Sequence, residues 1–322
     1  MTIVEVDWNI MFSNKLKEKQ FYTKGRKGIT WRTAGLFESD ETLWLLDDLL
    51  KKIGIENQIK AVYGCVTTPW GGGRMPQLDD IGEKELAKII EKYNSRGIAC
   101  YFTFSNYHAD ESFFDDKMGN LLCSVASNIS DLNGIIVSSD ALADYIKEKY
   151  PKLKQISSII KPVYQRNNYD DTPEYYNKLC ERYDLVVVRP EFYRDLNFMK
   201  KLKYKSQIEL LVNLYCFSHC PLSQMHYDKT VKHSPDDTEA FQRSRFCNKK
   251  INNILNYPES LAISNENIDQ LIKIGFKHFK LAGRGISSRL LLARDISRYI
   301  FDPTGHFQHV EQYISQKIHA ST

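Results

Sequence analysis

The segment GIIVSSDALADYIKEKYPKLKQISSII, residues 134–160, decides the fold because it places a strand, a helix and a second strand in succession. Its two ends, GIIVSS (134–139) and QISSII (155–160), are rich in the β-branched residues that strands favour. Between them, DALADYIKEKYP has apolar residues at helical spacing and an acid in its first turn. A helix between two such strands predicts parallel pairing through a crossover connection.

The same alternation continues along most of the chain in both directions. Helix-like stretches such as ESDETLWLLDDLLKKIG and IGEKELAKIIEKYNSRG separate the strand candidates. Eight strands, most of them followed by a helix, predict a (β/α)8 TIM-barrel-like α/β fold, and an open doubly wound sheet is the alternative. No linker or repeat divides the chain, so we expect one domain over residues 1–322, with a C-terminal helix at about 305–319. The predicted strands are 28–34, 59–66, 98–104, 134–139, 155–160, 184–189, 208–213 and 278–283.

The composition is typical of a globular protein with a full-sized core. Of the 322 residues, 42% are hydrophobic and 26% are charged, which excludes a disordered or fibrous chain. The net charge of +4 is too small for a dedicated nucleic-acid binder, although a local basic patch stays open. The first residues lack the features of a signal peptide and no apolar run is long enough to span a bilayer. We therefore expect a cytoplasmic protein without a membrane span.

The seven cysteines are expected to be metal ligands or buried side chains, because a disulfide framework is unlikely in a chain with no export signal. Three of them lie in a long break in the strand–helix alternation, at about 214–265. A structureless loop of this length is unusual in a compact domain, so we expect something to hold the insertion in place. In a barrel, an insertion between strands seven and eight begins at the end where active sites lie.

The motif NLYCFSHCP places Cys216 and Cys220 directly after strand seven, and Cys247 follows later in the insertion. Cys65 ends strand two in VYGCV and would open onto the same face of a barrel. Thiolates are the ligands that iron–sulfur clusters and zinc prefer. Three interpretations stay open at this point: an iron–sulfur centre on these four cysteines, a zinc site in which His219 or His226 joins Cys216 and Cys220, and buried cysteines with no metal.

Four arginines lie where predicted strands end. Arg74 follows three glycines in PWGGGRMP, and Arg284 lies between two glycines in FKLAGRG. Glycine lets the backbone approach a ligand closely, and a guanidinium grips a carboxylate or phosphate through two hydrogen bonds. Arg32 and Arg189 end strands one and six. These four residues are candidates for substrate binding, with surface turns, capping contacts and buried salt bridges as the structural alternatives.

Two histidines are candidates for proton transfer. His108 lies with Asp110 in FTFSNYHADES, directly after strand three, and His226 lies in the insertion. A histidine beside a carboxylate can act as an acid or a base near neutral pH. A polar loop rich in turn-forming residues is the structural alternative.

Three segments, taken in order, resemble the U32 peptidase (collagenase-like) family. They are LNGIIVSSDALADYIKEKYPKLKQISS, YDLVVVRPEFYRDLNFMKKLKYKSQIELLVNLYC and GFKHFKLAGRGISSRLLLARDISRYIFD. The shared features are a glycine-initiated apolar strand, a later strand that runs into a cysteine-bearing segment, and a Lys-x-x-Gly-Arg turn before a helix. In this chain the turn is KLAGR, from Lys280 to Arg284.

The resemblance implies a barrel-like fold and, as in many members, a 4Fe–4S cluster. Cys65, Cys216, Cys220 and Cys247 are then the implied ligands. The cysteine segment CFSHC is shorter than the usual one, and Cys247 stands where the family usually has a pair. Several members of the family serve oxygen-independent hydroxylation of RNA bases or of ubiquinone precursors.

These features together lead to the hypothesis of an iron–sulfur barrel protein that performs or assists a redox modification, such as hydroxylation of a small or polymer-borne substrate. One alternative is a metal-free or zinc-dependent hydrolase or lyase that uses the same pocket with His108, Asp110 and His226. A second alternative is a non-catalytic cluster-bearing subunit. A related barrel protein or an electron donor is the expected partner.

Overall fold

The computed structural model describes residues 26, 28–37, 43–44, 47–48, 51, 56–72, 78–161, 171–214, 216, 218, 261–283 and 295–301. Eight parallel strands pair in chain order and close into a barrel. They are β1 (Thr30–Ala34), β2 (Ile59–Gly64), β3 (Ala99–Phe104), β4 (Gly134–Val137), β5 (Lys154–Ser157), β6 (Leu185–Val188), β7 (Ile208–Leu211) and β8 (His278–Leu281).

Pairing of the first strand with the last closes the barrel. Thr30 lies opposite His278, and Arg32 lies opposite Lys280 in this parallel pair. The predicted (β/α)8 barrel is thereby confirmed, and the open doubly wound sheet is excluded. The carboxyl ends of all eight strands meet at one end of the barrel, where the segments that carry function in this architecture begin.

Helices connect the strands over the described part of the chain. They are α1 (Glu83–Asn94), α2 (Lys117–Ile129), α3 (Asp140–Lys149), α4 (Pro173–Cys180), α5 (Leu196–Lys201) and α6 (Asn265–Lys273), followed after β8 by a π-helical turn at Ser297–Phe301. The predicted helices in 81–97, 140–151, 173–183 and 266–275 are confirmed, whereas α2 and α5 were not singled out from the sequence.

Side-chain caps begin several of these helices. The Ser139 hydroxyl accepts from the Leu142 N–H at the start of α3, and Ser264 forms a capping box with Asn267 at the start of α6. Such caps satisfy backbone N–H groups that the helix itself leaves without a partner. They fix the point at which the chain turns from the barrel into each helix.

The apolar core has two layers, as expected for strands that are covered on both faces. An outer layer packs the strands against the helices. The inner layer fills the barrel with nine side chains from seven strands: Ala34, Ala61, Tyr63, Ala99, Tyr101, Ile136, Ile156, Val187 and Leu211. Alanines in β1, β2 and β3 leave space inside the barrel that larger side chains from other strands can occupy.

The strands are shorter than the sequence predicts, because turns begin at their ends. The strand predicted at 155–160 is shorter in the structure, where β5 ends at Ser157. It ends there because a turn follows, in which the Lys161 N–H donates to the Ser158 carbonyl. Most of the predicted insertion at about 214–265, and the predicted C-terminal helix at about 305–319, lie outside the described residues. No helix in the described part of the chain is long and apolar enough to cross a bilayer.

Candidate functional site

Three charged side chains from β1, β7 and β8 meet inside the barrel. The Arg32 guanidinium donates to Glu209 Oε1, and Lys280 Nζ lies 3.9 Å from Glu209 Oε2. All three residues are buried, with exposed fractions of 7%, 1% and 7% for Arg32, Glu209 and Lys280. Two cations therefore share one carboxylate in a region from which most water is excluded, where charges interact strongly.

Two tyrosines hold these cations on their ring faces. The Arg32 guanidinium lies 4.3 Å from the centre of the Tyr101 ring, and Lys280 Nζ lies 4.1 Å from the centre of the Tyr63 ring. Tyr63 and Tyr101 come from β2 and β3, so these contacts reach across the barrel interior. A ring face attracts a cation at this distance and partly replaces the lost hydration. Burial raises the pKa of Tyr101, so its hydroxyl stays neutral.

A cavity of about 220 Å³ opens above this cluster at the carboxyl ends of the strands. Among the described residues, its wall combines one ammonium group, four hydroxyl groups and an apolar side. The polar lining residues are Tyr63, Thr103, Ser105, Ser158 and Lys280, and the apolar ones include Ile136, Leu211 and Leu214. A small concave space with a few polar groups on an apolar wall is the usual form of a small-molecule site.

The hydroxyl groups of the wall are held by the backbone around them. The Tyr63 hydroxyl donates to the Leu281 carbonyl at 2.8 Å, and the Thr103 hydroxyl donates to the Gly64 carbonyl at 3.3 Å. The Ser158 Oγ accepts from the Ile160 N–H, which leaves the serine O–H to donate. The wall is therefore preorganised before any ligand enters.

Cys65 and Cys216 both lie at this end of the barrel, as the sequence predicts from their positions after β2 and β7. Cys65 is only 1% exposed, and its thiol donates to the Val66 carbonyl at 3.1 Å. Cys216 is half-buried, and neither cysteine forms a disulfide. Neither of them is among the described residues of the cavity wall.

The two described arginines among the predicted binding residues are engaged by carboxylates. Arg32 pairs with Glu209, whereas Arg189 pairs with Asp171 and donates to Glu191 Oε1 at 2.6 Å. Burial by itself lowers the pKa of Arg189, but its pairing with Glu191 and Asp171 outweighs burial and raises it. The guanidinium of Arg189 is therefore a fixed cation, and its role in substrate binding stays a prediction.

His108 is exposed in the loop after β3, and its ring packs against Tyr107 with 4.3 Å between ring centres. Asp110 lies nearby in sequence but caps a short turn, where it accepts from the Ser112 N–H and hydroxyl. These hydrogen bonds lower the pKa of Asp110. The described lining of the cavity includes neither His108 nor Asp110.

The remaining predicted site residues lie outside the described part of the chain. They are Arg74, Arg284, His219, Cys220, His226 and Cys247.

Glu209 and Lys280 are the charged site residues that were not candidates from the sequence, and Tyr63, Tyr101, Thr103 and Ser158 were not candidates either. Each of the two charged residues lies within a short apolar strand, IELL and HFKL, and this was the signal that could have revealed them. A buried charge in a barrel strand needs a partner, and the partner of each residue is contributed by another strand.

The closed parallel barrel with a cavity at its carboxyl ends defines the molecule as a (β/α)8 barrel of the TIM type. Its fold is similar to that of a solved structure described as the U32 peptidase Mk0906, with a TM-score of 0.50 and 12% sequence identity. The similarity covers 80% of this chain and 94% of the other. No family model and no curated protein matches the sequence. The chain is therefore similar in fold to a U32 peptidase barrel.

Proposed function

We propose that this U32-like barrel performs or assists a redox modification, such as oxygen-independent hydroxylation, of a small or polymer-borne substrate. The substrate group that reacts would lie in the cavity at the carboxyl ends of the strands. The observation that supports the proposal is that the cavity and two cysteines without a disulfide lie at the same end of the barrel. Tyr63 in β2 and Leu211 in β7 line the cavity. Cys65 comes after β2 in the chain, and Cys216 comes after β7.

A 4Fe–4S cluster on Cys65, Cys216, Cys220 and Cys247 is the proposed cofactor. When bound, it would supply one-electron transfer to the substrate. Gly71 packs closely against the Cys65 sulfur: a Cβ at position 71 would lie 3.0 Å from it, so a side chain there would crowd the proposed ligand. The Cys65 thiol would lose its proton and its hydrogen bond to Val66 on binding iron.

The chain's own side chains would bind and orient the substrate. Lys280 supplies a positive charge to the cavity wall, and Ser158 can donate a hydrogen bond. The apolar side, including Ile136 and Leu211, would exclude water from the reacting group. These roles hold for either the small or the polymer-borne substrate, provided that one small group enters the cavity.

Anaerobic expression with iron and sulfide analysis tests the cofactor. We expect a brown protein with about four iron atoms per chain, and loss of most of that iron in each of four separate variants, Cys65→Ser, Cys216→Ser, Cys220→Ser and Cys247→Ser. The matched control is Cys180→Ala, because burial raises the pKa of the Cys180 thiol to about 12 and keeps it protonated. A folded, colourless protein, or full iron retention in the four variants, would refute the cluster.

A metal-free hydrolase or lyase in the same cavity is the second candidate. It is favoured by one observation: the described wall of the cavity contains Lys280 and hydroxyl groups but no cysteine. Aerobically purified protein without bound metal should then retain its activity. Strict dependence of turnover on iron would exclude this candidate.

A further inference from the structure

We propose that Lys280 reacts with the carbonyl group of an aldehyde or ketone to form an iminium ion, and that the cavity takes carbonyl compounds of this kind as ligands. This inference rests on the proposed function in one respect, since it places the ligand in the same cavity. It goes beyond it by assigning a nucleophile and a chemical class of ligand.

Lys280 lies where its nitrogen can reach a ligand. The residue is 7% exposed and lines the cavity at the carboxyl ends of the strands, which is the end where reactive groups lie in this architecture. The Tyr63 ring lies against the ammonium group, with 4.1 Å between Nζ and the ring centre. A lysine in a cavity with little water is a usual nucleophile for carbonyl groups in proteins.

A second cation lies next to this lysine. Arg32 in β1 is the pairing partner of Lys280 in β8, and both side chains meet Glu209. A cationic neighbour is one of the features that activate a lysine as a nucleophile. Arg32 itself stays a guanidinium, because this group does not lose its proton in proteins.

Glu209 can accept the proton that the amine must lose. It lies on the barrel floor, the charged layer of Arg32, Glu209 and Lys280 below the cavity. Its Oε1 accepts from Arg32, whereas its Oε2 lies 3.9 Å from Lys280 Nζ and has no hydrogen-bond partner in the described part of the chain. An approach of about 1 Å brings these two atoms to hydrogen-bond distance. Other contacts of Lys280 are compatible with this role, because the reaction uses its contact with Glu209.

The reaction balances in atoms and in charge. The Lys280 ammonium gives one proton to Glu209, and the Nζ lone pair then forms a bond to the carbonyl carbon. A second nitrogen proton moves to the oxygen, Glu209 returns the first proton, and the C–O bond breaks with release of water. The iminium ion carries the same single positive charge as the ammonium group before it. The charge beside Glu209 is therefore unchanged, and no oxidant or reductant is needed.

The size and lining of the cavity limit the ligand. About 220 Å³ corresponds to roughly seven water molecules at the volume each occupies in the liquid. Ile136 and Leu211 offer an apolar surface to a short carbon chain, and the Ser158 hydroxyl can donate to a carbonyl oxygen. The ligand is thus a small aldehyde or ketone, or the carbonyl-bearing end of a larger molecule.

Reductive trapping of the full chain at pH 7 tests the inference with butanone as the probe. Sodium cyanoborohydride reduces an iminium ion to a stable amine, so each lysine that reacts gains a butyl group that peptide mapping by mass spectrometry locates. We expect Lys280 to be labelled at least about ten-fold faster than an exposed lysine such as Lys84, because the cavity holds the ketone against the amine. Equal rates at the two lysines, or label on exposed lysines without label on Lys280, would overturn the proposal.

Two lysine variants assign the reaction to one residue. Lys280→Arg keeps a positive charge beside Glu209 but has no amine that can form an iminium ion, so the fast labelling should disappear. The matched control Lys161→Arg replaces a buried lysine that pairs with Asp140 outside the described cavity wall, and it should be labelled as the unmodified chain is. Unchanged fast labelling in Lys280→Arg, with its fold verified by circular dichroism, would refute the assignment. If Lys280→Arg does not fold, Lys280→Met takes its place.

Iron analysis of the same samples, prepared without air, separates this inference from the proposed function. Fast labelling of Lys280 in a chain that holds no iron would support the iminium site and refute the cluster. Iron retained on the four cysteines without fast labelling of Lys280 would support the cluster and refute the iminium site.

Discussion

Loss of the Glu209 carboxylate should destabilise the barrel far more than loss of the Lys280 charge. In Glu209→Gln, the Arg32 guanidinium, whose side chain is only 9% exposed, would lose the carboxylate to which it donates. Breaking a buried ion pair on one side costs about 3–5 kcal/mol of unfolding free energy, because a buried charge is left uncompensated. In Lys280→Met, the direct pair of Arg32 and Glu209 survives, so we expect the unfolding free energy to change by about 1 kcal/mol or less.

Urea unfolding at pH 7, followed by far-ultraviolet circular dichroism, measures both variants against the unmodified chain. The difference between the two changes in unfolding free energy should be at least about 2 kcal/mol, which is well above the extrapolation error for one protein studied in parallel. Equal losses, or a larger loss in Lys280→Met, would refute the distribution of charge described for the barrel floor.

Three further predictions concern the scaffold. A Cβ at position 119 would overlap the buried ring of Trp70, so Gly119→Ala should lower the unfolding free energy by about 1–3 kcal/mol. Asn128→Ala, on the exposed face of the same helix, is the control and should not lower it. Urea unfolding measures both variants. Burial lowers the pKa of His278 from 6.5, and the nearby Arg32 guanidinium lowers it further. The unfolding free energy should therefore fall as the pH drops below about 6.5 and stop falling below the lowered pKa. His278→Asn should remove this dependence of the unfolding free energy on pH. The buried Asn213 side-chain amide donates to the Ala282 carbonyl and accepts from the Ala282 N–H, just after β8. Asn213→Ala should therefore lower the unfolding free energy by about 1–3 kcal/mol. No change in the thermal midpoint would contradict this.

The barrel could be predicted from the sequence because its signals are local. Strand patterns such as IKAVYGCV and GIIVSS, each followed by a helical pattern, require only short-range regularity to be recognised. Parallel pairing then follows from the length of the connections, and it places Cys65 and Cys216 at one end of the barrel. That part of the candidate site was therefore predictable, although the distance between the two sulfur atoms was not.

The charged floor of the site was not predictable in the same way. Arg32 and Glu209 are 177 residues apart in the chain. They meet because β8 pairs with β1 and brings β7 within reach across the interior. His108 and Asp110 show the opposite case, since they are close in sequence but lie outside the described cavity wall. Proximity in sequence is a poor guide to a site that is built inside a closed sheet.

By itself, the order of residues determined the elements, their parallel pairing and the end of the molecule where each loop emerges, since all three depend on spacing along the chain. Only closure of the barrel decided that Lys280, Glu209 and Tyr63 share one interior, and that Tyr63 and Lys280 line one cavity with residues of other strands. The physical reason is that closure brings side chains from non-neighbouring strands into contact across a space with little water. Charged side chains interact strongly in that space, and the local sequence pattern does not show which of them meet there.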